Sequence, residues 1–243
     1  MKLSGAFLAR WIWSFGIILI AHLSVVFFYF NQVESNPSSG TYFWLHWFFF
    51  EYEKNIPALF TTLLMFCIGV CLKRIAETDT IREEGTYRLW KGLQYTVVFL
   101  ACDEWFSIHE GLNDLGVSSF GVPYWVLIYL GLATVLAVTY IPFMFNLLKK
   151  TLYIWLGGAF IYIGGAALFE TVNYQIHDFN TIAYQTYLVF EDGLEIMGLL
   201  VILWGCLDYM KVRFKDTQFS ISKRWAVILT VLMGIEMVIT YNI

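Results

Sequence analysis

Asp103, Glu104, His109 and Glu110 close one strongly apolar stretch of the chain. Glu170 and His177 close another, and Glu191, Asp192 and Glu195 open a third. Carboxyl and imidazole groups are the side chains that move protons and hold metal ions. In hydrocarbon they are costly, so their presence there calls for a reason. At 100° per residue, Asp103, Ser107 and Glu110 share one helix face, while His109 is turned away by about 100° and Glu104 points elsewhere. Glu170, Asn173 and His177 share a face if that helix continues so far. Glu191 and Glu195 are one turn apart and address a common centre.

Acids this close cannot all stay ionised without compensation. No Lys or Arg lies in these stretches, so the compensators are protons, a metal cation or water. Three readings are open. In the first, Asp103, His109, Glu110, Glu170, His177, Glu191 and Glu195 are ligands of a divalent metal, with iron, manganese or zinc as the candidates. Bundled helices build such centres from carboxylates and histidines. One carboxylate, Glu104 or Asp192, is then left as the catalytic proton shuttle of a metal-dependent intramembrane enzyme. The familiar Glu-x-x-His and His-Glu-x-x-His spacings do not occur. In the second reading, a transporter or channel, the same groups carry protons or a cation; the inner halves of the stretches offer few polar groups to continue such a path. In the third, protonated acids bind helices together by hydrogen bonds worth about 1 kcal/mol or less each.

These residues are placed by long apolar runs at roughly 11–30, 56–72, 89–109, 122–148, 151–172, 184–207 and 225–241. The chain has 243 residues, 59% hydrophobic and 14% charged, a balance too apolar for a water-facing surface. A span needs about 20 apolar residues and must satisfy its own backbone, so the runs are read as membrane helices. The expected fold is an all-α bundle of about seven transmembrane helices forming one polytopic domain over 1–243. Fourteen of the fifteen basic residues then fall on one side, with Lys54 alone opposite. The positive-inside rule puts the amino terminus inside and the carboxyl terminus outside. Under that topology the acids all lie in the outer half of a cell (inner) membrane. Lys2 and Arg10 precede the first run as in a signal peptide, but its length and the lack of an A-x-A pattern predict a retained helix.

The remaining signals have plainer readings. Cys67, Cys71, Cys102 and Cys206 lie within apolar runs and read as small hydrophobes rather than a disulfide framework. His22 reads as a packing histidine. Tyr42 to Phe50 is aromatic but too short to span, and reads as a segment in the outer interface. His46, Glu51 and Glu53 belong to that solvated loop. Gly157, Gly158, Gly164 and Gly165 read as a face for close helix packing. The expected partners are the lipid bilayer and an apolar or amphipathic small molecule, with nucleic acid excluded by so small a basic patch. No nucleotide-binding or serine-nucleophile motif occurs. The last run has no lysine for a retinal Schiff base.

Overall fold

In a computed structural model, the chain is described over residues 5–28, 47–48, 50, 54–118, 120–173 and 182–214. The run at 225–241 and the segment 31–46 with its His46 lie outside the described residues, as do Glu51, Glu53 and His177. The described chain is built of helices: α1 (Gly5–Phe28), α2 (Ile56–Ala76), the short α3 (Asp79–Glu83), α4 (Tyr87–Phe106), α5 (Tyr124–Phe145), α6 (Lys149–Ile163) and α7 (Ile182–Phe214). After α6 the helix widens into a π-helical turn, Gly164–Phe169, and ends as Glu170–Asn173. A 3-10 turn, Glu110–Leu115, follows α4. Six of the seven apolar runs are therefore helical, with ends that lie up to about seven residues from the expected bounds, the first helix starting at Gly5 and the last described one running on to Phe214.

Four of these helices are long and apolar enough to cross a membrane: Phe7–Phe28, Ile56–Ala76, Tyr124–Phe145 and Lys149–Val172. Their outward residues are apolar too, among them Ile17 and Ile20 on α1 and Val135 and Val138 on α5. A contiguous surface of this kind needs a nonaqueous solvent. Helices α4 and α7 carry more charge. They lie against the others, α4 along α2 and α7 along α6.

The core is built from helical stripes. Leu64, Ile68, Cys71 and Ile75 recur every three or four residues along α2 and are fully buried. Ile196, Leu199, Leu203, Cys206 and Met210 form a similar buried stripe on α7. Trp90 of α4 joins the two halves: its ring meets Phe143 of α5 at 5.1 Å, Trp155 of α6 at 5.5 Å and Tyr209 of α7 at 5.0 Å. Edge-to-face contacts such as those with Phe143 and Trp155 are worth about 0.5–1.5 kcal/mol beyond the area they bury. All four cysteines are free thiols, and three are buried, as small hydrophobes would be.

Helix α2 starts where the sequence says it should. Asn55 caps it, accepting the Ala58 N–H on Oδ1 at 2.9 Å, and Pro57 sits in the first turn. The cap is anchored to the aromatic segment before it, since the Ile56 N–H donates to the Trp47 carbonyl at 3.1 Å. His22 of α1 is fully buried, stacks on Phe50 at 4.1 Å and accepts the Phe50 N–H on Nδ1 at 3.2 Å. It is a packing histidine that ties this segment to the first helix.

Among the described residues, the ion pairs made by Lys and Arg gather at one end of the bundle. Lys150 of α6 meets Asp208 of α7 at 2.8 Å, and Arg213 of α7 pairs with Glu84, just past α3. Lys91 of α4 reaches Glu77 at the end of α2. At 1.5 Å rise per residue, Asp103 lies about 18 Å beyond Lys91, Glu195 about 20 Å from Asp208 and Glu170 about 30 Å from Lys150. The acids of three helices therefore share the end opposite the ion pairs.

Candidate functional site

The acid end is shaped by how α4 stops. The sequence run predicts a helix to residue 109, but α4 ends at Phe106, and Ser107 takes a left-handed conformation with φ 52°. This conformation closes many helices at their C-terminus. The Ile108 N–H returns to the Asp103 carbonyl at 3.1 Å, and the chain folds back over the last turn. The expected face of Asp103, Ser107 and Glu110 is therefore not formed. His109, expected to point away, instead meets Asp103, Nδ1 to Oδ2, at 3.1 Å.

Asp103 is buried, and its second oxygen is also engaged: the Tyr129 hydroxyl of α5 donates to Oδ1 at 2.6 Å. Trp125, one turn earlier on α5, packs its ring against His109 at 5.0 Å and edge-on to Tyr129 at 5.7 Å. Tyr129 and Trp125 were hidden in the sequence inside an apolar run. Their i, i+4 spacing was the available signal, and it matches an ordinary core stripe equally well. The contact suits an imidazole that donates from Nδ1 to Asp103.

Glycines bring the second group of acids together. A Cβ on Gly198 of α7 would stand 2.6 Å from the Tyr162 nitrogen and 2.7 Å from the Gly158 carbonyl oxygen of α6. A Cβ on Gly165 would stand 2.8 Å from the carbonyl oxygen of Glu191. Only glycine lets two helix backbones approach so closely. Gly158 and Gly165 thus form the expected packing face, whereas Gly157 and Gly164 face open space. The π-helical turn at Gly164–Phe169 shifts the register just before Glu170, a distortion often found at functional sites. It places Glu170 within hydrogen-bonding reach of buried Glu191. Glu195, one turn further along α7, lies in electrostatic range of Glu104, Asp192, His109 and Glu170.

Both groups face one cavity of about 1310 Å³ between α4, α5, α6 and α7. Asp103, Glu104, His109, Glu110, Glu170, Glu191, Asp192 and Glu195 all line it, so eight of the nine residues named from the sequence as metal ligands or proton shuttles meet there; the ninth, His177, lies outside the described residues. Glu110 is exposed at its edge. Away from this end the wall is mostly apolar, running past Leu93, Leu136 and Phe143 to Leu147 and Leu152. Among the described residues, no group of three or more His, Cys, Asp and Glu side chains stands in an arrangement that could hold a metal ion.

These features define a helical protein with membrane-length apolar helices and an acid–histidine–tyrosine cluster at the head of an apolar cavity. The chain matches, over residues 16–210, the family described as a domain of unknown function (DUF8692), and it belongs to that family. No curated protein and no solved structure matches it.

Proposed function

We propose that the protein is a seven-span membrane enzyme that performs acid–base chemistry on the polar head of an amphipathic molecule drawn from the bilayer. Its basic end faces the cytoplasm and its acid end the outer side of a cell (inner) membrane, a placement that the distribution of Lys and Arg supports. The observation that carries this reading is the cavity: every acid and histidine among its described lining residues sits at one end, and the rest of the wall is mostly apolar. A proton or cation path needs polar groups along its length. A chamber for a lipid-like substrate needs a polar head site and a greasy tail site.

In the chemical step His109 acts as general base and then general acid through Nε2. Asp103 orients the ring and stabilises the imidazolium, as carboxylates do beside catalytic histidines. Tyr129 holds Asp103 in place. Glu170 and Glu191 supply or accept the second proton at the far wall of the head site.

The test uses purified full-length protein in nanodiscs, incubated with a total membrane-lipid extract and followed by mass spectrometry. The expected result is depletion of one amphipathic species with appearance of a product. Asp103→Asn and His109→Asn should each slow the conversion by about 10²-fold or more. An extract left unchanged, together with Asp103-dependent proton flux across proteoliposomes, would replace the enzyme with a transporter. Stoichiometric iron, manganese or zinc in the purified protein, lowered by Glu191→Gln, would make the cluster a metal centre.

A further inference from the structure

A chamber for a molecule drawn from the bilayer needs a wall that opens onto hydrocarbon. Resting on that reading of the cavity, we propose that the seam between α5 and α6 is a lateral opening through which a hydrocarbon chain of a bilayer lipid enters.

Helix α5 is fastened on one side only. Its Tyr129 hydroxyl donates to Asp103 of α4 at 2.6 Å, its Tyr140 hydroxyl donates to the Leu89 carbonyl of α4 at 2.8 Å, and its Phe143 ring meets Trp90 of α4 at 5.1 Å. Among the described residues, every hydrogen bond and ring contact that α5 makes with another helix goes to α4. Residues 146–148 join α5 to α6 at the basic end, but beyond that connection neither helix packs closely along the other. Helix α6 instead commits Gly158 and Gly165 to α7. At 100° per residue, Leu156, Phe160 and Ile163 lie on the opposite side of α6 from those glycines. They line the cavity and are nevertheless exposed, Phe160 to 81%. A Cβ on Gly157, which also lines the cavity, would meet nothing within 4 Å. Phe99 of α4 stands at the rim too, but the α4 side is bridged on both sides of it, at Asp103 and at Leu89.

The exposed lining also shows what passes. Among the described residues, Glu110 is the one polar lining residue that is exposed, and the other exposed ones are apolar and sit mid-helix. Helix α5 and the helix that begins with α6 are both of membrane length and apolar, so the medium at that depth is acyl chain. Water gains nothing at an opening edged by Leu and Phe, whereas a lipid chain is both compatible and present. Between the levels of Tyr129 and Tyr140 the opening is about 17 Å tall, room for a chain to move in sideways.

The test places the full chain in nanodiscs with a phosphatidylcholine that carries a diazirine midway along one acyl chain, and maps the adducts after illumination by mass spectrometry. Adducts are expected at Phe160 on the rim, at outward-facing Ile17 and Ile20 of α1, and at Leu93 and Leu136, which line the cavity behind the rim and pack against the core. Gly157→Phe, and separately Leu156→Trp, should narrow the seam and lower the inner adducts about tenfold. Both should leave Ile17 and Ile20 labelled as in the parent, which also reports that the variants are folded and inserted. Gly157→Ala should keep the inner adducts.

Adducts confined to Ile17, Ile20 and the rim overturn the inference, because the chain then only coats the surface. Inner adducts that survive both bulky substitutions overturn it as well, since entry is then elsewhere. An unlabelled rim does the same and gives the seam another occupant, such as the apolar run at 225–241 or a second copy of the chain. The enzyme fails separately. Inner adducts without lipid conversion keep the opening and remove the enzyme, whereas conversion without inner adducts keeps the enzyme and removes the opening.

Discussion

Asp103 is the residue on which the head site turns, because both of its oxygens are engaged by groups from elsewhere in the chain. His109 comes back to it after the left-handed turn at Ser107, and Tyr129 reaches it from α5. A hydrogen bond to a charged partner contributes about 1.5–3 kcal/mol. Tyr129→Phe should therefore lower the unfolding free energy by roughly that amount in detergent, and slow lipid conversion less than Asp103→Asn does. A Tyr129→Phe protein as stable and as active as the parent would remove tyrosine from the site. At this scale the sequence was partly legible. Acids in apolar surroundings announce themselves by cost, and eight of the nine singled-out residues line one cavity. The pairing of His109 with Asp103 was not legible, because helical phase was extended through a residue whose backbone turns left-handed. Nothing in the side chain of Ser107 marks that turn.

At the scale of elements, the contact between α6 and α7 depends on glycine. Gly198→Ala would drive a methyl group to within 3 Å of backbone atoms that cannot move aside. It should cost about 1–3 kcal/mol and separate Glu170 from Glu191. Gly157→Ala, with open space around it, should be neutral or slightly stabilising. Thermal unfolding followed by labelling of buried Cys206 compares the two directly, and similar melting temperatures would argue against the close approach. The small-residue face of α6 was visible in the sequence. Its complement on α7 was not singled out, because Gly198 and Gly205 stand alone among large apolar residues. The π-helical turn was equally hidden, since Gly164 to Phe169 is as compatible with a regular helix.

At the scale of the whole molecule, the Lys and Arg ion pairs and the acids that line the cavity occupy opposite ends of the bundle. The sequence foreshadowed this through its basic residues, which also repeat the positive-inside pattern. If the proposed orientation holds, a cysteine placed at Glu84 should react with a membrane-impermeant maleimide only in inside-out vesicles, and one at Glu110 only in intact right-side-out cells or spheroplasts. Labelling of both from one side would break the topology.

The convergence of acids from different helices is the claim beneath all of these, and a double-mutant cycle reads it without knowledge of the substrate. Equilibrium unfolding in mixed micelles would be compared for the parent, Glu170→Gln, Glu191→Gln and the double variant. Side chains in contact should give a coupling of about 0.5–3 kcal/mol, whereas effects that add within about 0.3–0.5 kcal/mol would place the two carboxyl groups apart and contradict a shared site.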